Sequence, residues 1–565
     1  MTAEALAAMR ASFSVTVLVA AAVLAGCGGS SGGGSSTAPL APLAPLAPPA
    51  PPLPPPVSRA EAFKFLNQTT FGATESEAEN VRRIGFEAWI DQQIAEPISL
   101  QLPYLRSLPQ PDRAPRLQPD RVDIWFRNAL GGQDQLRQRV AFALSQILVV
   151  SEVGALRQAP YGLADYYDVL ARNAFGNFRD LMEEATLHPA MGVYLSMLGN
   201  QKPDPERSIS PDENYAREFM QLFTIGLVEL YPDGTTRLDS EGQPIPTYDQ
   251  DIVEGFAHVF TGWTYANGAN FLRARRTDDN QTLPMQLYPN YHATGAKQLL
   301  NGVRLPAGQS GDQDLEDALD NLFAHPNVGP FIAIRLIQRL VTSNPSSAYV
   351  SRVAATFNNN GSGERGDLEA VVKAILFDEE ARSTSQSPSN GKLKEPLLRL
   401  TQLWRAYDAR SADGSYVFRP QTIYVFAQGP LQSPSVFNFF SPFYAPPGKI
   451  SEAGMTAPEL QVATEYQNAL VTNYFYQQAF RRNSNRAGLH SDEVFIDIHE
   501  ELALAADADA LINRVAEKLL TGEISDTLRA GIRGMVVGRD TDDAVGRVAE
   551  TIYFIVSSPE FARQH

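Results

Sequence analysis

Two short stretches hold most of the residues that could do chemistry. In Ser210-Pro211-Asp212-Glu213-Asn214-Tyr215-Ala216-Arg217-Glu218-Phe219-Met220-Gln221-Leu222-Phe223-Thr224-Ile225-Gly226, four-residue helical spacing stacks Glu213 over Arg217 and Asn214 over Glu218, with Gln221 beside them. Carboxylates on one helix edge can work as acid and base, so Glu213, Arg217 and Glu218 are candidate catalytic residues, and Asn214 and Gln221 candidate binding residues. In Thr247-Tyr248-Asp249-Gln250-Asp251-Ile252-Val253-Glu254-Gly255-Phe256-Ala257-His258-Val259-Phe260-Thr261-Gly262-Trp263, Asp251, Glu254 and His258 follow one another along one helical face. Imidazole with carboxylates can hold a divalent cation or supply an acid and a base. Asp251 and His258 are therefore candidate catalytic groups, and Asp251, Glu254, His258 and the loop residue His292 form a candidate metal set. Trp263 is a candidate sugar-stacking residue.

Each group also has a plain structural reading. The first stretch is equally a capped amphipathic helix with a solvated edge, starting at Ser210 as N-cap with Pro211 at the first helical position and Glu213 closing a capping box. Asp251 is equally a partner for a helix N-terminus, His258 a hydrogen-bonded core residue and Trp263 a core anchor. His188 and His325 each precede proline at a helix boundary, which favours a cap or turn role over ligation.

The elements that must position these groups are mainly helices. From Arg59 onward apolar residues recur at three- and four-residue spacing, as in Val140, Ala143, Leu144, Ile147 and Leu148. Further helices are expected over 75–93, 163–174, 178–187, 368–377, 460–480 and 510–520. Turn dipeptides at Asp233-Gly234 and Glu241-Gly242 make 227–248 a hairpin-like excursion, and the polar, Gly-rich 267–311 stretch reads as a long ordered loop. The fold class expected is mostly α: a multi-helical bundle body with a small hairpin-like excursion and long loops, preceded by a disordered Pro-rich tether. An N-terminal helical part, 58–385, carries the signature and a C-terminal helical part, 386–565, belongs to the same domain. Ile375–Arg382 partly echoes Ile555–Arg563, each closing a helix.

The 565 residues carry 47 Lys+Arg against 64 Asp+Glu, a net charge of −17, which argues against nucleic acid as partner. A single cysteine excludes a disulfide framework and Cys-based zinc sites. That cysteine ends Leu24-Ala25-Gly26-Cys27, after an apolar run too short to span a bilayer. Leu-Ala-Gly-Cys resembles the bacterial lipobox, which implies a lipoprotein signal peptide over 1–26 and lipidation at Cys27. Residues 27–57, Gly/Ser-rich and then nearly pure proline, read as a tether, its proline part extended. Gly28 after the cysteine carries no inner-membrane retention signal, so the expected location is the cell envelope, lipid-anchored at the outer membrane.

The segment from Asp212 to Gly226 resembles the signature of the bacterial domain of unknown function 1800 family, usually read Asn-Glu-Asn-Tyr-Ala-Arg-Glu with a Leu-Phe-Thr-Leu-Gly end. Phe71-Gly72, Trp89-Ile90-Asp91, Gly176-Asn177-Phe178, Pro189-Ala190-Met191, Thr261-Gly262-Trp263, His325-Pro326 and Gly366-Asp367-Leu368 resemble further landmarks in order. Asp212 replaces the usual Asn, and Ser145-Gln146 stands where many members carry a histidine-bearing segment. The resemblance implies export and an exported protein partner, and assigns no activity.

Other motifs fail their context. The Gly-x-Ser-x-Gly match at 28–32 lies in the tether, the dinucleotide-like Gly361–Gly366 run joins two expected helices, and His499-Glu500 lacks a second histidine. Two readings therefore stand: a lipid-anchored helical protein that binds or organises an envelope component, or a hydrolase of an extracellular polymer using the clustered carboxylates and histidines, with a divalent metal as an open cofactor.

Overall fold

The computed structural model describes residues 57–109, 117–383, 389–416, 422–480, 491–520 and 524–564. The expected signal peptide, Cys27 and the tether up to Pro56 lie outside these residues. Helix accounts for 56% of the described residues and strand for 5%, as the apolar spacing predicts. The strands are three two-residue antiparallel pairs, which join Trp263 to Leu287, Lys297 to Leu305 and Lys392 to Gln564. Among the described residues no helix is long and apolar enough to cross a membrane.

Residues 56–565 form one compact unit, and one buried cluster runs from Ala62 to Phe561. Residues on both sides of position 386 share this core. Trp404 packs its ring 5.4 Å from Phe126, and the neighbouring Arg405 donates to the carbonyls of Gly72, Ala129 and Leu130 and to Glu77. A buried guanidinium is tolerable only when its donors find acceptors, and here three turns of chain supply them.

Local sequence accounts for several boundaries. Helices Phe178–Leu187 and Leu368–Phe377 occupy the expected residues. Their caps, Asn177 and Asp367, bridge each other, and Phe178 N–H and Leu368 N–H donate to the carbonyls of Gly366 and Gly176. The Gly361–Gly366 run is thus a connector between helices Ser347–Asn358 and Leu368–Phe377. The expected 75–93 helix is broken into Glu75–Ile84 and Phe86–Ala95 by Gly85, whose φ of 86° no helix accommodates. The 460–480 helix begins only at Glu465, because Pro458–Gln461 forms a separate 3₁₀ turn.

The 227–248 excursion is hairpin-like. Val228 bridges Pro246, Leu230 bridges Thr236 and Leu238 bridges Pro244. Its root is pinned by Asn327, whose amide donates to the carbonyls of Ile225 and Val228 while its oxygen accepts the N–H of Leu230. The 267–311 stretch is ordered, with short 3₁₀ turns, one whole strand pair (297–298 with 304–305) and the strand 286–287 that pairs with 263–264. It meets helix Gln250–Val259 at Gly255, where a Cβ would stand 1.8 Å from the carbonyl oxygen of Gln298.

Candidate functional site

The signature helix starts later than its capping pattern predicts. It covers Asn214–Glu218, and Ser210, Pro211 and Glu213 do not form a capping box. The reason is long-range: Asn200 clamps Asp212 by donating to its carbonyl and accepting its N–H, so the residues up to Asp212 stay outside the helix and Glu213 stands at its N-cap. Asp212 then takes the N–H of Asn214 on its own carboxylate. Beyond Glu218 the chain widens into a π-helical turn, Phe219–Thr224, in which the Thr224 hydroxyl donates to the Phe219 carbonyl five residues back. Such turns occur frequently at functional sites.

Tyr215, Ala216, Phe219 and Phe223 are buried, while Asn214 is exposed and Arg217 and Glu218 lie partly buried. The polar edge meets helix Gln250–Val259 at the surface. Arg217 Nη2 lies 2.6 Å from Glu213 Oε2 and 2.6 Å from Gln250 Oε1, and Gln250 Nε2 donates to Glu213 Oε1 at 3.0 Å and to Glu254 Oε1 at 3.4 Å. The expected stacking of Glu213 over Arg217 is therefore present, closed into a lattice by Gln250. The Arg217 side chain remains 43% exposed, so this lattice is a surface feature.

Glu218 behaves differently. Its Oε2 is buried without a hydrogen-bond partner, and burial pushes its carboxyl above the usual range against the pull of Arg217. Its charge acts in turn on the phenols of Tyr194 and Tyr248. A carboxyl in this position is suited to holding a proton.

The candidate metal set is not gathered. Among the described residues no three His, Cys, Asp or Glu side chains converge to hold a metal ion. Asp251 and Glu254 are exposed on the outer face of their helix, whose N-cap is Asp249. His292 is committed elsewhere: Nδ1 lies 2.9 Å from the Thr261 carbonyl and Nε2 lies 2.8 Å from Asp314 Oδ2. Lys297 Nζ reaches the same Asp314 oxygen at 2.5 Å, and all three side chains are 2% exposed or less. Burial works to raise the Asp314 carboxyl, but the hydrogen bonds from His292 and Lys297 outweigh it and hold it low. His258 sits partly buried near this group. Burial and the charge of Lys297 lower its affinity for a proton, against Glu254 and Glu213.

Trp263 is 3% exposed and pairs with Leu287, so it is a core anchor with no face for a sugar. His188 caps its helix and His325 holds a turn, the cap or turn roles expected, each accepting at Nδ1 the N–H two residues on, from Ala190 and Asn327. The sequence reading missed Gln250, Lys297 and Asp314. Asp314 had a signal: it lies at four-residue spacing with Ala318 and Leu322 on the buried face of helix Gly311–Phe323.

Fold and site together define a predominantly α-helical body whose surface lattice of Glu213, Arg217, Gln250 and Glu254 is backed by a buried His–Asp–Lys group. The family model "Protein of unknown function (DUF1800)" matches residues 64–563, and the chain belongs to that family. No curated protein and no solved structure matches the chain.

Proposed function

We propose that this chain is an exported lipoprotein, anchored through Cys27, whose helical body binds a component of the bacterial cell envelope, either an exported protein or an extracellular polymer, through the signature face. The observation that carries the binding reading is the lattice itself. Glu213, Arg217, Gln250 and Glu254 spend their donors and acceptors on one another at the surface, a preformed polar patch of the kind that positions a partner. Beside it, the hairpin-like arm exposes Leu227, Tyr231 and Leu238, each at least 50% accessible. The lipobox-like Leu24-Ala25-Gly26-Cys27 and the proline tether support an anchor that lets the body stand off a membrane surface.

A hydrolytic reading is favoured by one observation, the raised carboxyl of Glu218. Glycosidic chemistry needs a second carboxylate opposite the first, and Glu213 is engaged by Arg217 and Gln250. Binding is accordingly the better supported reading.

Retention of the purified body on outer-membrane and cell-wall fractions tests it. Wild type is expected to be retained and Arg217→Glu to be lost, since reversing a half-exposed charge disturbs recognition more than folding. Equal retention of both would count against the signature face. For the anchor, palmitate incorporation should disappear in Cys27→Ala.

A further inference from the structure

On helices Pro160–Arg172 and Phe178–Leu187, with Thr282 and Pro284 of the long loop opposite, lies a cleft of about 420 Å³, a volume typical of small-ligand sites. At its floor His188 has its Nδ1 occupied by the Ala190 N–H, so its ring proton is on Nε2, which faces Asp165 Oδ2 at 3.3 Å. Asp165 lines the cleft while only 9% exposed, and its second oxygen, Oδ1, accepts no hydrogen bond and has only a long ion pair, 4.0 Å to Arg172 Nη2. A carboxylate oxygen that accepts no hydrogen bond on the wall of a cleft keeps acceptor capacity for a ligand.

The rest of the lining gives the chemistry of the missing donor. Asp180, Glu183 and Glu184 stand exposed on the rim, whereas Arg172 is the one lining residue with a full positive charge. Val169, Leu187 and Pro284 supply the apolar part of the lining. A metal ion is the poorer fit, because no three carboxylate or imidazole groups among the described residues converge to hold one. We propose that this cleft binds an organic cation: a primary ammonium on a short aliphatic stem, as in a lysine side chain, with the ammonium on Asp165 and the stem along the apolar lining. The proposal does not depend on the signature face, none of whose residues lines the cleft.

Calorimetric or NMR titration of the full chain with cadaverine tests it, with pentanediol and glutarate as neutral and anionic controls. Cadaverine should bind saturably and more weakly as salt rises, while both controls fail to bind. Asp165→Asn should weaken cadaverine about tenfold or more, as expected for loss of a charged hydrogen bond. Because Asp165 also holds His188, the exposed double variant Asp180→Asn/Glu184→Gln provides an independent arm, expected to weaken binding severalfold without changing the melting temperature. Absence of saturable cadaverine binding, equal binding of pentanediol or glutarate, or unchanged affinity in folded Asp165→Asn would overturn the proposal. If Asp165→Asn does not fold, unchanged affinity in the rim variant would overturn it instead.

Discussion

Lys297 Nζ stands 2.5 Å from Oδ2 of Asp314, the same oxygen that faces His292 Nε2, while Asp314 Oδ1 is buried without a partner. The group ties the long loop, which carries His292 and Lys297, to helix Gly311–Phe323 behind the signature face. Removing one member of a buried charge group leaves the others uncompensated. Asp314→Ala should therefore cost about 3–5 kcal/mol, read as a lower urea midpoint at unchanged slope. A loss below about 1 kcal/mol would show that water, rather than the carboxylate, satisfies His292 and Lys297.

Glu218 supplies a pH-dependent test. Its carboxyl is raised in the fold, so the ionised form is disfavoured there. The resulting destabilisation is absent below the unfolded value of 4.5 and complete above the folded one. Glu218→Gln should thus be at least as stable as wild type at neutral pH, and the two should converge as pH falls below that window. A variant that is less stable at neutral pH would mean that Glu218 makes a favourable contact as an anion.

His325 gives the opposite sign. Burial and the nearby Arg365, which also donates to the His325 carbonyl, lower it from 6.5 to about 4. Its contribution is present above 6.5 and is lost as pH falls toward 4, on the order of 3 kcal/mol. Protonation removes the Nδ1 acceptor for the Asn327 N–H, and Asn327 pins the root of the hairpin-like arm. The protection of the Leu230 N–H, its exchange rate divided into the intrinsic rate at each pH, should fall as pH drops through this range in wild type and respond less in His325→Asn, whose amide oxygen can still accept the Asn327 N–H.

Gly255 tests the packing of the loop on the Gln250 helix. A Cβ there would overlap the Gln298 carbonyl at 1.8 Å, and the obstacle is backbone. Gly255→Ala should destabilise by more than about 2 kcal/mol despite the better helix propensity of alanine. An unchanged melting temperature would contradict the close approach.

Local order was legible wherever it depended on neighbours in sequence. Periodicity placed helices Phe178–Leu187 and Leu368–Phe377, turn dipeptides located the hairpin-like arm, and His-Pro pairs announced the cap at His188 and the turn at His325. Misreadings arose where distant residues decided. Asn200 pulled the start of the signature helix past Ser210, Asp314 took His292 away from the metal set, and the strand pairing of Trp263 buried its ring. The cleft at Asp165 has no short-range signature, because it requires contacts between elements that sequence spacing does not relate.

The signature face is tested most directly by photo-crosslinking from an unnatural residue at the exposed position 214, next to Arg217, in living cells expressing the full chain. A discrete adduct with an envelope component is expected, lost in Arg217→Glu and absent when the probe is moved to exposed Ala530. No adduct from position 214, or one that persists in Arg217→Glu, would contradict recognition through this surface.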